Sequence, residues 1–208
     1  MFKFFLRVQK LLIGVTGGIC TGKSTVARIL SALLGLDLVN LDQIAHEVLG
    51  KGEVGYLKVI EAFGEKILSP DGSIDRKALA RIVFEDPEKR FLLERIVHPL
   101  VEERMMKLIE ESGRNLVIEA PLLIEKGTWK LMDFVVLVYC PPELQIKRLI
   151  RRDKLDPKAA ESKIKAQLPL EAKFPMAHYV INNSKDFSYL RNQVLKTGLE
   201  ILKHALRR

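Results

Sequence analysis

The stretch from Leu11 to Leu34, LLIGVTGGICTGKSTVARILSALL, constrains the fold of this 208-residue chain more than any other. Within it, Gly17-Gly18-Ile19-Cys20-Thr21-Gly22-Lys23-Ser24 satisfies G-x-x-x-x-G-K-[ST], the Walker A phosphate loop. The context agrees with the motif. The apolar run Leu11–Val15 reads as a buried parallel strand. After the loop, Val26, Ile29, Leu30, Leu33 and Leu34 fall on one helical face, and Gly35 supplies a stop. Glycines let a backbone wrap closely around phosphate, and the loop N–H groups with the helix N-terminus point at the anion. In such a loop Lys23 reaches the β- and γ-phosphates and the Ser24 hydroxyl holds Mg²⁺. A glycine-rich strand–helix turn without a ligand is the alternative, and the flanking strand and helix weigh against it.

Composition sets bounds. The chain is 48% hydrophobic and 29% charged, an ordinary globular balance for one domain with an appendage, or for two small ones. Its two cysteines, Cys20 and Cys140, form no disulfide framework and no metal-ligand cluster, which points to a reducing, cytoplasmic setting. The net charge of +8 fits nucleic acid or a phosphate-rich small ligand. The basic residues are dispersed, with mild concentrations at 147–154 and 203–208. Neither carries the interleaved aromatics of a stacking surface, so the small ligand is favoured. The start, MFKFFLRVQKLLIGV, has short apolar runs broken by Lys3, Arg7 and Lys10; it reads as an extension into the first strand rather than a signal sequence. No stretch is long enough to span a membrane as a helix.

Along the chain, residues 36–41 read as a second strand, and Asp42 is well placed to cap the short helix that follows. Residues 55–112 read as an all-helical insertion. Asp75 caps a helix with Leu79, Ile82 and Val83; Asp86-Pro87 starts the next. His98 precedes Pro99 and is expected to be extended, at a junction between two helices. Strands are expected at 115–120, 134–140 and 179–182. Pro141-Pro142 and Asp156-Pro157 open helices between the last two, and Leu190, Val194, Leu195, Leu199 and Leu202 mark a final amphipathic one. Alternating strands and helices imply a parallel sheet wrapped by helices.

In order and spacing these residues resemble the dephospho-CoA kinase family over about residues 13–195. The family's opening TGGIGSGKST is matched by Thr16–Thr25, with Cys20-Thr21 where Gly-Ser is usual. Its acidic strand end is matched by Asn40-Leu41-Asp42-Gln43-Ile44-Ala45, with Asn40 in place of the first carboxylate. Phe63-Gly64, Asp71-Gly72, Asp75-Arg76, Leu79, Phe84 and His98-Pro99 follow; then come Pro121-Leu122-Leu123-Ile124-Glu125, Gln145 with Arg148 and Arg152, Ala166-Gln167 with Lys173, and Ile181-Asn182-Asn183. The resemblance implies an α/β fold: a five-stranded parallel P-loop kinase core (1–42, 114–145 and 178–208), a helical CoA-binding insertion (43–113) and a helical lid (146–177). It implies transfer of the γ-phosphoryl of ATP to the ribose 3′-hydroxyl of dephospho-CoA.

The residue roles it implies are these. Gly18, Cys20, Thr21, Gly22, Lys23, Ser24 and Thr25 hold ATP, with Asn183 near the adenine. Ser24 and Glu119 hold Mg²⁺. Asp42 accepts the ribose proton or orients that hydroxyl; Arg148 and Arg152, four apart on one face, close on the transferring phosphoryl with Lys23. Arg76, His98 and Leu122 lie near the acceptor. Plainer readings stand beside several of these. Arg148 and Arg152 could form a solvated face, Glu119 be a strand-end charge, Asn183 a turn residue and His98 a helix-junction residue. The expected partner is the small-molecule acceptor, without nucleic acid or membrane, in a monomer or weak homo-oligomer. Other small-molecule kinases and nucleic-acid-dependent ATPases with the same loop are the competing readings.

Overall fold

The computed structural model describes residues 10–113 and 115–207. The extension over residues 1–9, Arg114 and the terminal Arg208 lie outside the described residues. The chain divides into two compact units: Met1–Val39 with Gly113–Arg208, and Asn40–Ser112.

The first unit is built on five parallel strands, β1 (Leu12–Gly17), β2 (Asp37–Asn40), β3 (Leu116–Glu119), β4 (Phe134–Tyr139) and β5 (Tyr179–Asn182), in the order β2-β3-β1-β4-β5. β1 is central and buried throughout. Its register pairs Val15 with Glu119 on one side and Gly17 with Val138 on the other, so both neighbouring strands end beside the phosphate loop. One face of the sheet (Ile13, Val15, Val117, Val136, Val138, Ile181) packs against α1 (Lys23–Leu34) and α8 (Phe187–Ala205) through Val26, Leu30, Leu190, Val194 and Ile201. On the other face a Cβ on Gly14 would sit 2.5 Å from Leu123 and 2.8 Å from Met132, so the segment after β3 covers the sheet there. The remaining helices are α6 (Pro142–Asp153) and α7 (Pro157–Lys165), both entered by proline as expected.

Two apolar faces differ from expectation. Leu33 in α1 is 39% exposed, and Ala27 is buried instead. In α8 the inward positions include Thr197 and Gly198, while Leu199 is 56% exposed. The cause is close helix approach: Gly198 leaves room for Leu33, whose Cδ2 would lie 2.6 Å from an added Cβ.

The second unit holds α2 (Leu41–Glu47), α3 (Val54–Phe63), α4 (Arg76–Glu85) and α5 (Pro87–Glu111). Val59, Phe63, Ile67 and Leu79 form its core. Asp75 and Asp86 cap α4 and α5 as expected. The expected junction at His98 is absent. α5 runs unbroken through 25 residues, with His98 and Pro99 inside it. Pro99 removes one intrahelical hydrogen bond and clashes with the preceding turn, a cost of about 3 kcal/mol; the packing of α2, α3 and α4 along α5 opposes it. The cap of α2 also differs. Asn40 Oδ1 accepts the Gln43 backbone N–H at 3.1 Å, so Asn40 is the N-cap and Asp42 stands inside the first turn.

Candidate active site

The phosphate loop is shaped by close backbone approach. A side chain on Gly17 would meet the Val138 carbonyl at 2.5 Å and Thr21 Oγ1 at 2.7 Å; one on Gly22, at φ 95°, would run into the Asn183 amide. Cys20 is the non-glycine residue held at φ 57°. The loop is closed from within: Thr21 Oγ1 donates to the Gly18 carbonyl at 3.0 Å, and Lys23 Nζ donates to the same oxygen at 3.4 Å. Thr25 and Val26 N–H groups return to the Gly22 carbonyl, which starts α1. The loop and helix N-terminus therefore form an anion cradle with a lysine folded across it.

Ser24 is exposed at the head of α1, and its Oγ donates to Glu119 Oε1 at 2.5 Å. Glu119 is 3% exposed at the end of β3. Hydroxyl and carboxylate are hard oxygen donors, and one or two such ligands completed by phosphate and water are what Mg²⁺ takes. The donor set fits that ion. Among the described residues there is no cluster of three or more His, Cys, Asp or Glu that could hold a metal by itself.

A cleft of about 310 Å³ opens over the loop, lined by Cys20, Gly22, Lys23, Ser24, Thr25, Arg148, Arg152 and Asn183. All eight residues expected at the nucleotide, and both arginines, thus belong to the unit that carries the loop, and eight of these ten line one cleft. Arg148 Nη1 donates to the Cys20 carbonyl at 3.3 Å and Nη2 to the Asn183 carbonyl at 2.9 Å. Asn183 Nδ2 donates to the Thr21 carbonyl at 2.8 Å. One arginine and one asparagine therefore lace the loop to the exit of β5. Arg152 instead forks onto Asp153 at 2.7 and 3.1 Å; the bond raises the guanidinium pKa and holds the Asp153 carboxyl below its ordinary value. Burial pushes the Cys20 thiol up, against the opposing pull of Arg152, Lys23 and Arg148, so it is no activated nucleophile.

Thr21 is fully buried beneath the loop, Gly18 borders a second cavity next to Gln145 and Leu170, and Leu122 is half-buried just after β3. Asp42, Arg76 and His98 belong to the second unit: Asp42 exposed in the first turn of α2, Arg76 exposed at the start of α4, His98 half-buried within α5. Three further polar residues had only a family motif as signal, with no role attached. Gln145 is buried and donates to the Cys140 carbonyl at 3.2 Å. Gln167 Oε1 accepts the Ile19 N–H of the loop at 2.9 Å. Lys173 is fully buried.

The model of the dephospho-CoA kinase family matches residues 11–188. The dephospho-CoA kinase of Carboxydothermus hydrogenoformans is 44% identical over 188 residues, covering 88% of this chain and 91% of that one. A crystal structure of TT1252 from Thermus thermophilus superposes with a TM-score of 0.79 at 33% identity, over 93% of this chain and 98% of that one. The dephospho-CoA kinase from Campylobacter jejuni does so with 0.69 at 32% identity, over 94% and 99%. A P-loop core with an anion cradle and a Ser–carboxylate pair, matched along most of its length by these relatives, places this chain in the dephospho-CoA kinase family, the phosphotransferases that complete coenzyme A synthesis.

Proposed function

We propose that this chain transfers the γ-phosphoryl of ATP to the ribose 3′-hydroxyl of dephospho-CoA, giving CoA and ADP. The observation that carries this is the phosphate loop, with Lys23 folded across it and Ser24 bonded to Glu119, in a chain whose family performs that reaction. Phosphoryl transfer asks a protein mainly for position and charge. Gly18, Cys20, Thr21, Gly22 and Thr25 supply the cradle for the triphosphate, and Lys23 exchanges its Gly18 carbonyl for β- and γ-oxygens. Asn183 reaches the adenine side. Ser24 and Glu119 would hold Mg²⁺, which would supply neutralising charge for the phosphates. Asp42 accepts the ribose proton. Arg148 and Arg152 stabilise the equatorial oxygens through paired N–H donors. Arg76, His98 and Leu122 contact the acceptor. In this reading residues 1–42, 114–145 and 178–208 form the nucleotide core, 43–113 the CoA-binding domain and 146–177 the lid, and the chain works in the cytoplasm as a monomer or weak homo-oligomer.

The test is ADP formation with dephospho-CoA, shikimate, nucleoside monophosphates and nucleic acid as separate arms. Dephospho-CoA alone should accelerate it, and phosphorus NMR should locate the new phosphate at the ribose 3′ position. Phosphate elsewhere, or stimulation by nucleic acid instead, overturns the assignment.

A further inference from the structure

Lys173 lies in the 3-10 segment Leu170–Met176 with its side chain fully buried. Its Nζ stands 2.6 Å from Glu125 Oε1 and donates to the Pro121 carbonyl at 3.3 Å. The same carbonyl accepts Thr16 Oγ1, also at 3.3 Å. One backbone oxygen just past Glu119 is thus gripped from two directions: by the strand that feeds the phosphate loop, and by the segment that follows α7. Pro121 has no N–H of its own. The far half of the turn closes through its backbone, with Lys126 N–H on the Leu122 carbonyl, Gly127 N–H on Ile124 and Trp129 N–H on Leu123. The near half is held by side chains. Leu123 and Ile124 are sunk in the core, which leaves Leu122 as the half-buried apolar residue of the turn.

Burying an ammonium completely against a carboxylate that stays partly exposed is a poor device for stability alone, because the desolvation of the lysine offsets the attraction. A lysine is also among the residues least often buried completely. What the ammonium offers here is geometry: one group bonds the carbonyl that starts the turn and the carboxylate that ends it. Ligands of open α/β folds bind beyond the carboxyl ends of the strands, which is where this turn begins.

We infer that Lys173 is a positioning residue for the acceptor. It fixes the turn Pro121–Gly127, and Leu122 on it, in the shape that receives dephospho-CoA. The inference rests on the function proposed above. Lys173 does not line the cleft over the phosphate loop, so the nucleotide should not sense its loss directly.

The experiment compares the parent chain with Lys173→Met and with Lys173→Met/Glu125→Leu, by steady-state kinetics in each substrate and by thermal melting. The single variant melts lower because Glu125 loses its partner. The double variant recovers most of that loss, since an apolar pair replaces the ionic one. Both raise the KM for dephospho-CoA by roughly tenfold or more, while the KM for ATP stays within about twofold. A double variant with parental KM for dephospho-CoA overturns the inference, as does a rise in both KM values together or a fall in kcat alone. If Lys173→Met does not fold, Glu125→Gln keeps an acceptor oxygen, removes the charge, and gives a smaller rise in the same KM; no rise there also overturns it. A parent chain without dephospho-CoA-dependent turnover overturns the proposed function, and the inference with it.

Discussion

Ser24 Oγ and Glu119 Oε1 are joined by a 2.5 Å hydrogen bond that ties the first turn of α1 to the end of β3. A buried strand-end carboxylate bonded to the last residue of the phosphate-loop motif is more than a solvated charge. Glu119→Gln keeps an acceptor oxygen for Ser24 and removes the charge. The variant should therefore fold with a melting temperature near the parent's. The Mg²⁺ concentration for half-maximal activity should rise by roughly 10- to 100-fold, the usual effect of disturbing a metal's supporting carboxylate. Titration of activity with Mg²⁺, alongside melting, checks it. An unchanged Mg²⁺ requirement would leave Glu119 as a structural partner of Ser24 alone.

Asp42 becomes a sharper target because Asn40 is the residue that caps α2. Asn and Asp cap about equally well, which accounts for an amide being tolerated where the family has its first carboxylate. With the cap assigned elsewhere, Asp42 retains only a favourable place in a first helical turn, about 0.3–1 kcal/mol. Asp42→Asn should melt close to the parent, yet lower kcat by roughly 10² or more if the carboxylate accepts the ribose proton. Asn40→Ala should do the reverse, losing about 1 kcal/mol of stability with kcat largely kept. Equal kcat in Asp42→Asn and the parent would send the search for the base elsewhere.

The phosphate loop and its flanking strand and helix were legible because their signals are local: glycine spacing, an apolar run, a 3.6-residue period. The five strands and the caps at Asp75, Asp86 and Asp156 were legible for the same reason. What escaped depends on contacts distant in sequence. Pro99 signals a break, but three helices packed along α5 keep it continuous. The inward place of Gly198 in α8 follows from the close approach of Leu33, which the apolar period of the helix does not show. Lys173 had only a family motif as its signal, and its burial follows from where Glu125 and Pro121 meet it. At the site, Lys23 and Ser24 were readable from the motif, whereas the hold of Arg148 on two backbone carbonyls needs strands β4 and β5 placed side by side.

Arg148 and Arg152 should part company in stability. Arg148 bonds the Cys20 and Asn183 carbonyls, and hydrogen bonds from a charged donor contribute about 1.5–3 kcal/mol. Arg148→Ala should lower the melting temperature and weaken ATP binding, because the loop loses its tie to the exit of β5. Arg152 is 61% exposed and paired with Asp153, and such surface pairs contribute about 0–1 kcal/mol. Arg152→Ala should melt like the parent while kcat falls, with the KM for ATP little changed. Melting curves and kinetics on both variants decide the matter. A parental melt for Arg148→Ala would mean that its two carbonyl bonds are not energetically coupled to the loop.

Cys140 makes the alkaline side of the stability profile informative. Burial pushes its thiol from an ordinary value of 9.0 up to about 11, with Arg148 pulling weakly the other way. A raised folded pKa means that the native state resists the thiolate while the unfolded chain accepts it. The thiol's contribution is therefore whole below about pH 9 and is lost progressively as pH climbs toward about 11. Cys140→Ala has no proton to lose there. It should start less stable than the parent near neutrality, since a buried sulfur is gone. The gap between the two should then shrink as pH rises through that window, because only the parent sheds this contribution. Denaturant melts of both proteins at steps across that range measure the gap directly. A gap that stays constant to the alkaline end would show that the thiol titrates alike in the folded and unfolded chains.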